Sequence, residues 1–107
     1  MIQAPFVLAV CARKGISGLD KGETATDKGD WFMFDSGLAV QNLCLKAHSL
    51  GLGTVIVGLF DAKGAERILR VPGDRSVVVL IPLGVPEKMS RGPGRKEIAE
   101  FVRYETY

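Results

Sequence analysis

Histidine, cysteine and net charge are scarce in this sequence. Its 107 residues hold one histidine and two cysteines, and 14 basic residues against 12 acidic ones leave a charge of +2. So small an excess gives little electrostatic grip on a phosphate backbone, and no arginine–aromatic stripe accompanies it, so nucleic acid is not an expected partner. Cys11 and Cys44 sit in apolar surroundings without a partner motif. They read as buried thiols of a cytoplasmic protein, not as a disulfide or a zinc site. The lone histidine, His48, falls in the last turns of a helical pattern, where a cation stabilises the carbonyl end; this structural role outweighs metal ligation or general-base work. No stretch approaches the length of a membrane span. The apolar run Ile2 to Ala12 lacks a preceding basic segment and a following small-residue cleavage pattern, so no secretory leader is expected. Hydrolytic signatures are missing as well: there is no Gly-x-Ser-x-Gly elbow, no His-Glu-x-x-His and no Walker lysine loop.

Apolar residues make up 47% of the chain and charged ones 24%, which places it among globular proteins with one domain over residues 1–107. The stretch from Asp35 to Thr54 dominates it. Leu38, Leu45 and Leu52 recur at heptad intervals, with Ala39, Val40, Leu43, Ala47 and Leu50 between them, which predicts a long helix buried on nearly every side. Gly51 can take the left-handed conformation that stops it, and Thr54 to Val57 follows as a strand. Asp30 or Asp27 can cap the helix. A helix so apolar needs more cover than a short chain readily supplies. Two copies packing together would provide it and would also shield open sheet edges, so a homodimer is expected.

Around this helix, Pro5 to Ala12 predicts a buried strand. Arg13 to Asp30 carries four glycines among charges and threonines and reads as a long functional loop. Asp61 is a candidate N-cap for a second helix whose buried face holds Ala65, Ile68 and Leu69, with Pro72 as its stop. Val77 to Ile81 has the unbroken β-branched pattern of a central strand, ended by Leu83-Gly-Val-Pro. Glu87 to Lys96 reads as a surface loop. Ile98, Phe101 and Val102 share one face of a short helical turn before an extended tail. Strands alternating with helices predict a layered α/β or α+β sandwich.

Gly51-Leu-Gly-Thr is no dinucleotide fingerprint, because it precedes a strand instead of joining a strand to a helix. Val57-Gly-Leu-Phe is the better candidate site. It joins a strand end to a helix start, where backbone N–H groups lack partners, and Gly58 lets a planar ligand approach the main chain. Lys88, Arg91, Arg95 and Lys96 form a cationic loop able to hold a phosphate, although charge pattern alone favours a solvated surface.

Three stretches together resemble the FMN-dependent nitroreductase family. They are Ala4-Pro5 opening a strand; Asp35-Ser-Gly-Leu-Ala-x-Gln-Asn-Leu-x-Leu-x-Ala-x-x-Leu-Gly-Leu-Gly-Thr; and, in the family's order, Gly58-x-Phe, Val71-Pro-Gly-Asp, Leu83-Gly-x-Pro and Arg95-Lys, with Val102 near the end. The resemblance spans the chain but corresponds to the C-terminal part of the family's domain, without the N-terminal half whose Arg-x-Ser-x-Arg-type motif grips the flavin phosphate. It implies an α+β, three-layer nitroreductase-like sandwich with a mainly antiparallel sheet around a long buried central helix. It also implies a flavoenzyme: NAD(P)H would reduce FMN, and a nitroaromatic or quinone-like acceptor would reoxidise it. Carried over by position, the backbone of Val57 and Gly58 would face the flavin ring, flanked by Leu59 and Phe60. Arg95, with Lys96 or Arg91 as alternatives, would neutralise the phosphate. Asp35, Gln41 and Asn42 match family positions and read as structural, satisfying nearby backbone. Trp31 and Phe34 read as core packing more readily than as a substrate pocket. The rival reading is a non-catalytic remnant, a flavin or small-molecule binding module or a protein-interaction module.

Overall fold

The β-branched run after Pro72 forms the backbone of the fold. The computed structural model describes residues 4–88 and 91–107. The run becomes the ten-residue strand β5 (Arg75–Gly84), the middle strand of a three-stranded sheet. On one side it pairs antiparallel with β1 (Phe6–Arg13), from Phe6 opposite Leu83 to Arg13 opposite Arg75. On the other side lies β4 (Gly53–Thr54), with Gly53 opposite Gly84. The β1 register shifts between Val10 and Cys11, leaving Val78 as the extra residue on β5. Such a bulge lets successive residues look the same way, and Val78 and Val79 both line one apolar cleft.

The long helix forms as expected in kind, as α1 (Phe32–Ser49). Neither Asp30 nor Asp27 is its N-cap, a position held by Trp31 without a side-chain cap bond. Asp30, one residue earlier, accepts from the Phe32 N–H at 3.1 Å through one carboxylate oxygen and from the Gly15 N–H at 2.6 Å through the other. Gly51, at φ +75°, ends it, with its N–H on the His48 carbonyl and that of Leu52 on the Ala47 carbonyl, both at 3.0 Å. Its burial differs from expectation. Only Ser36, Val40 and Ala47 are buried, whereas Leu38 and Leu45 are 55% and 58% exposed. The sheet beneath it has three strands, one only two residues long, so a single stripe of the helix finds cover.

The same shortage corrects three further expectations. Strand β1 is an edge strand, mostly exposed except at Ala12. Cys11 is exposed and Cys44 only half-buried. The second helix, α2 (Ala62–Ile68), buries Gly64, while Ile68 is 82% exposed and Leu69 is exposed as well. The radius of gyration, 17.3 Å, exceeds the ~13 Å typical of a closed domain this long, and the extents of 49 × 47 × 23 Å describe a flat body. Ile81, at 0% exposure, is the one large side chain fully enclosed among the described residues.

The segment from Arg13 to Asp30 is not a featureless loop. It folds into a two-stranded hairpin, β2 (Leu19–Asp20) and β3 (Glu23–Thr24), turned by Lys21 and Gly22, both at positive φ. The predicted strand Thr54 to Val57 shrinks to β4 plus a single bridge between Val57 and Leu80 in the same register. β5 runs past the expected stop, through Pro82 to Gly84. The turn near the end is α3 (Ile98–Phe101), held by a capping box between Glu97 and Glu100. Of the expected loop Glu87 to Lys96, positions 89 and 90 lie outside the described residues.

Candidate functional site

The candidate site grows out of the second edge of β5. Val57 donates its N–H to the Leu80 carbonyl at 2.9 Å and accepts from the Leu80 N–H at 3.0 Å. Both its backbone groups are therefore committed to the sheet, and the open donors begin one residue later. The N–H groups of Gly58, Leu59 and Phe60 donate to nothing among the described residues. A Cβ added at Gly58 would meet no atom within 4 Å, so the glycine leaves an unobstructed approach to the main chain. The Leu59 side chain is 98% exposed, an apolar arm with nothing against it.

Helix α2 closes the loop. Asp61 caps it as expected, accepting from the Gly64 N–H at 2.9 Å. Glu66 was not singled out by the sequence, yet it holds the best-connected side chain nearby. One carboxylate oxygen accepts from the Ser76 hydroxyl at 2.9 Å and the Val77 N–H at 3.1 Å; the other takes the Lys63 ammonium at 2.9 Å. Those bonds, Lys63 first, then Ser76 and Val77, favour the ionised acid and lower its pKa to about 2. The Lys63–Glu66 spacing was visible in the sequence as a helical pair; the contact with β5 was not.

The cationic segment is a separate feature. Arg91, Arg95 and Lys96 are all exposed, and Arg95 and Lys96 make no hydrogen bond or ion pair among the described residues. Three clefts among the described residues are lined by neither Arg91, Arg95 or Lys96 nor the Val57–Leu59 loop. One, of about 340 Å³, lies at the end of α1 between His48 and Lys88. Another, of about 330 Å³, lies between the end of β1 and the first turns of α1, beside Cys11, Ser17 and Asp35. A third, of about 240 Å³, lies between Met33, Gly37 and Val40 of α1 and Ile56, Val78 and Val79.

Asp35 has a structural contact, though with a side chain and not with backbone: it accepts a hydrogen bond from the Ser17 hydroxyl and so ties the segment ahead of the hairpin to α1. Gln41 and Asn42 are not buried; both are exposed and satisfy no neighbouring backbone, a consequence of the uncovered helix. Trp31 and Phe34 pack edge to face with centroids 5.3 Å apart, but Phe34 remains exposed. No group of three metal-ligating side chains exists among the described residues, and no helix there is long and apolar enough to cross a membrane.

Comparison with known proteins adds to this geometry. The model of the nitroreductase family matches residues 1–85. A protein of Methanothermobacter thermautotrophicus carrying the name NADH dehydrogenase/NAD(P)H nitroreductase is 30% identical over 99 residues, which is 89% of this chain and 46% of that protein. The chain thus spans about half the length of this curated relative. A nitroreductase family protein from Clostridium difficile 630 superposes with a TM-score of 0.81 at 23% identity, over 98% of this chain and 62% of that one. Oxidized iodotyrosine deiodinase bound to FMN and 3-iodo-L-tyrosine superposes at 0.76 and 26% identity, over 98% and 49%.

Proposed function

This chain belongs to the nitroreductase family, and we propose that it works as an FMN-dependent oxidoreductase using NAD(P)H and a nitroaromatic or quinone-like acceptor. The observation that carries this reading is the run of three unpartnered N–H groups, Gly58 to Phe60, on a loop anchored to a central strand. A flavin ring edge offers the acceptors such a run needs, and the bare α-carbon of Gly58 leaves room for a flat ring. FMN, when bound, supplies hydride acceptance from the nicotinamide and electron delivery to the acceptor. The chain's own residues would bind and orient it. Gly58 and Leu59 would donate main-chain hydrogen bonds, Val57 would hold the loop against Leu80, and the Leu59 side chain would shield one side from water. Arg95, with Lys96 or Arg91, would neutralise the phosphate.

The reading includes a homodimer. Leu38 and Leu45 form an exposed apolar stripe on α1, Phe6 and Val7 an exposed patch on the edge strand, and surfaces of this kind favour association. The flat, open shape also favours a second reading, a binding or interaction module that no longer turns over.

One titration separates them. FMN is added to the purified chain while fluorescence quenching is followed, NADH is then added without oxygen, and sedimentation gives the mass. Saturable uptake, bleaching by NADH and a dimeric mass support the proposal. Uptake without bleaching supports the binding module, and no uptake refutes the flavin reading.

A further inference from the structure

We propose that Glu66 is the positioning residue of the Gly58–Phe60 loop, because its carboxylate ties the helix that follows the loop to the same strand that pairs with the residue before it. This rests on the flavin reading above. The near end of the loop is fixed by the Val57–Leu80 pair. Within the loop no main-chain donor is engaged. The Asp61 cap fixes α2 to itself, through Gly64 and Ala65, and not to the sheet. Apolar packing contributes little at the far end, since Ile68 and Leu69 face outward and the buried residue of α2 is a glycine. What joins α2 to β5 through polar contacts is Glu66, bonded to Ser76 and Val77.

Leu80 and Val77 lie three residues apart on one strand, so the loop is strung between two points of a single rigid element. Its side chain is only 14% exposed and accepts from three donors, an arrangement typical of a group that fixes geometry more than one that reacts. The lowered pKa keeps the anchor ionised wherever a flavin would be handled. Loss of the anchor leaves the binding donors in place but lets them wander, which weakens ligand affinity through added disorder.

The test uses the whole chain in four forms: unaltered, Glu66→Ala, Glu66→Gln and Ile68→Ala. FMN affinity is measured by fluorescence quenching, and amide hydrogen exchange at Val57 and Leu80 is measured without FMN. Glu66→Ala is expected to weaken FMN binding about tenfold, the scale of one or two lost hydrogen bonds, and to speed Val57 exchange. Glu66→Gln keeps an acceptor for Ser76 and Val77 and restores both to within about twofold. Ile68→Ala changes neither. Unaltered FMN affinity in Glu66→Ala, or glutamine as poor as alanine, overturns the assignment. Should Glu66→Ala fail to fold, Ser76→Ala removes one bond from the strand side and is expected to weaken FMN about threefold; no change there overturns it. If the unaltered chain takes up no FMN, the flavin reading falls by itself. Faster Val57 exchange in Glu66→Ala then still supports the anchor, and unchanged exchange overturns it.

Discussion

Ile81 is the residue whose loss this fold tolerates least. It sits at the middle of β5, opposite Leu8 of β1, and no other large side chain among the described residues is fully enclosed. A chain of this length is held by roughly 5–15 kcal/mol, and the open shape and sparse core put this one toward the lower figure. Removing buried methyl groups costs their transfer energy plus the void left behind. Ile81→Val should therefore cost about 0.5–1.5 kcal/mol and Ile81→Ala about 2–5 kcal/mol. The alanine variant would lose a large fraction of the total. Urea denaturation followed by circular dichroism, at one protein concentration throughout, is the measurement. With a slope of about 2 kcal/mol per molar urea, Ile81→Ala should lower the midpoint by about 1–2.5 M. Ile68→Ala, on the exposed side of α2, should stay within about 0.5 kcal/mol of the parent. An Ile81→Ala midpoint no lower than that of Ile68→Ala would refute the assignment of the core to the middle of β5.

Glu66 makes stability depend on acidity in one direction. Its pKa is lower folded (about 2) than unfolded (4.5), so its charged-state contribution is complete above pH 4.5 and disappears as the pH falls toward 2. The difference in urea midpoint between the parent and Glu66→Gln should shrink across that window; a constant difference would contradict the ionised clamp. Gly18 and Gly15 share a positive φ near +75°, but only at Gly18 would a Cβ overlap the Trp31 indole. Gly15→Ala should cost about 1–2 kcal/mol from the backbone alone, and Gly18→Ala clearly more, by thermal unfolding; equal losses would mean that Trp31 yields freely. Arg95→Ala should weaken FMN uptake far more than Lys28→Ala, whose ammonium lies 3.4 Å from Asp27; equal effects would count against the phosphate role.

Elements whose signals lie within a few residues were readable from the chain alone. The Asp61 cap of α2, the glycine stop of α1 and the β-branched run of β5 depend on local geometry, and all three appear. The hairpin inside the Arg13–Asp30 segment has a local signal too, Lys21-Gly22 between short polar strands, but its strands of two residues are too short to show alternation. The Val57–Gly58–Leu59 loop was likewise legible as a strand end meeting a helix cap. What stayed hidden was the link from Glu66 to Ser76 and Val77, ten and eleven residues away, since a contact between helix and strand leaves no trace in spacing.

Burial was the main thing that pattern alone could not deliver. Hydrophobic periodicity states that Leu38, Leu45 and Leu52 prefer to leave water, not what stands ready to receive them. In this chain the order of strands gives α1 a narrow sheet, so Leu38 and Leu45 remain exposed. Side-chain chemistry thus set the kinds of element and their ends, because propensity and capping act over one or two turns. The arrangement of those elements in space settled which apolar surfaces close and where Gly58 to Phe60 hold their free donors, because those outcomes depend on partners far away in the chain.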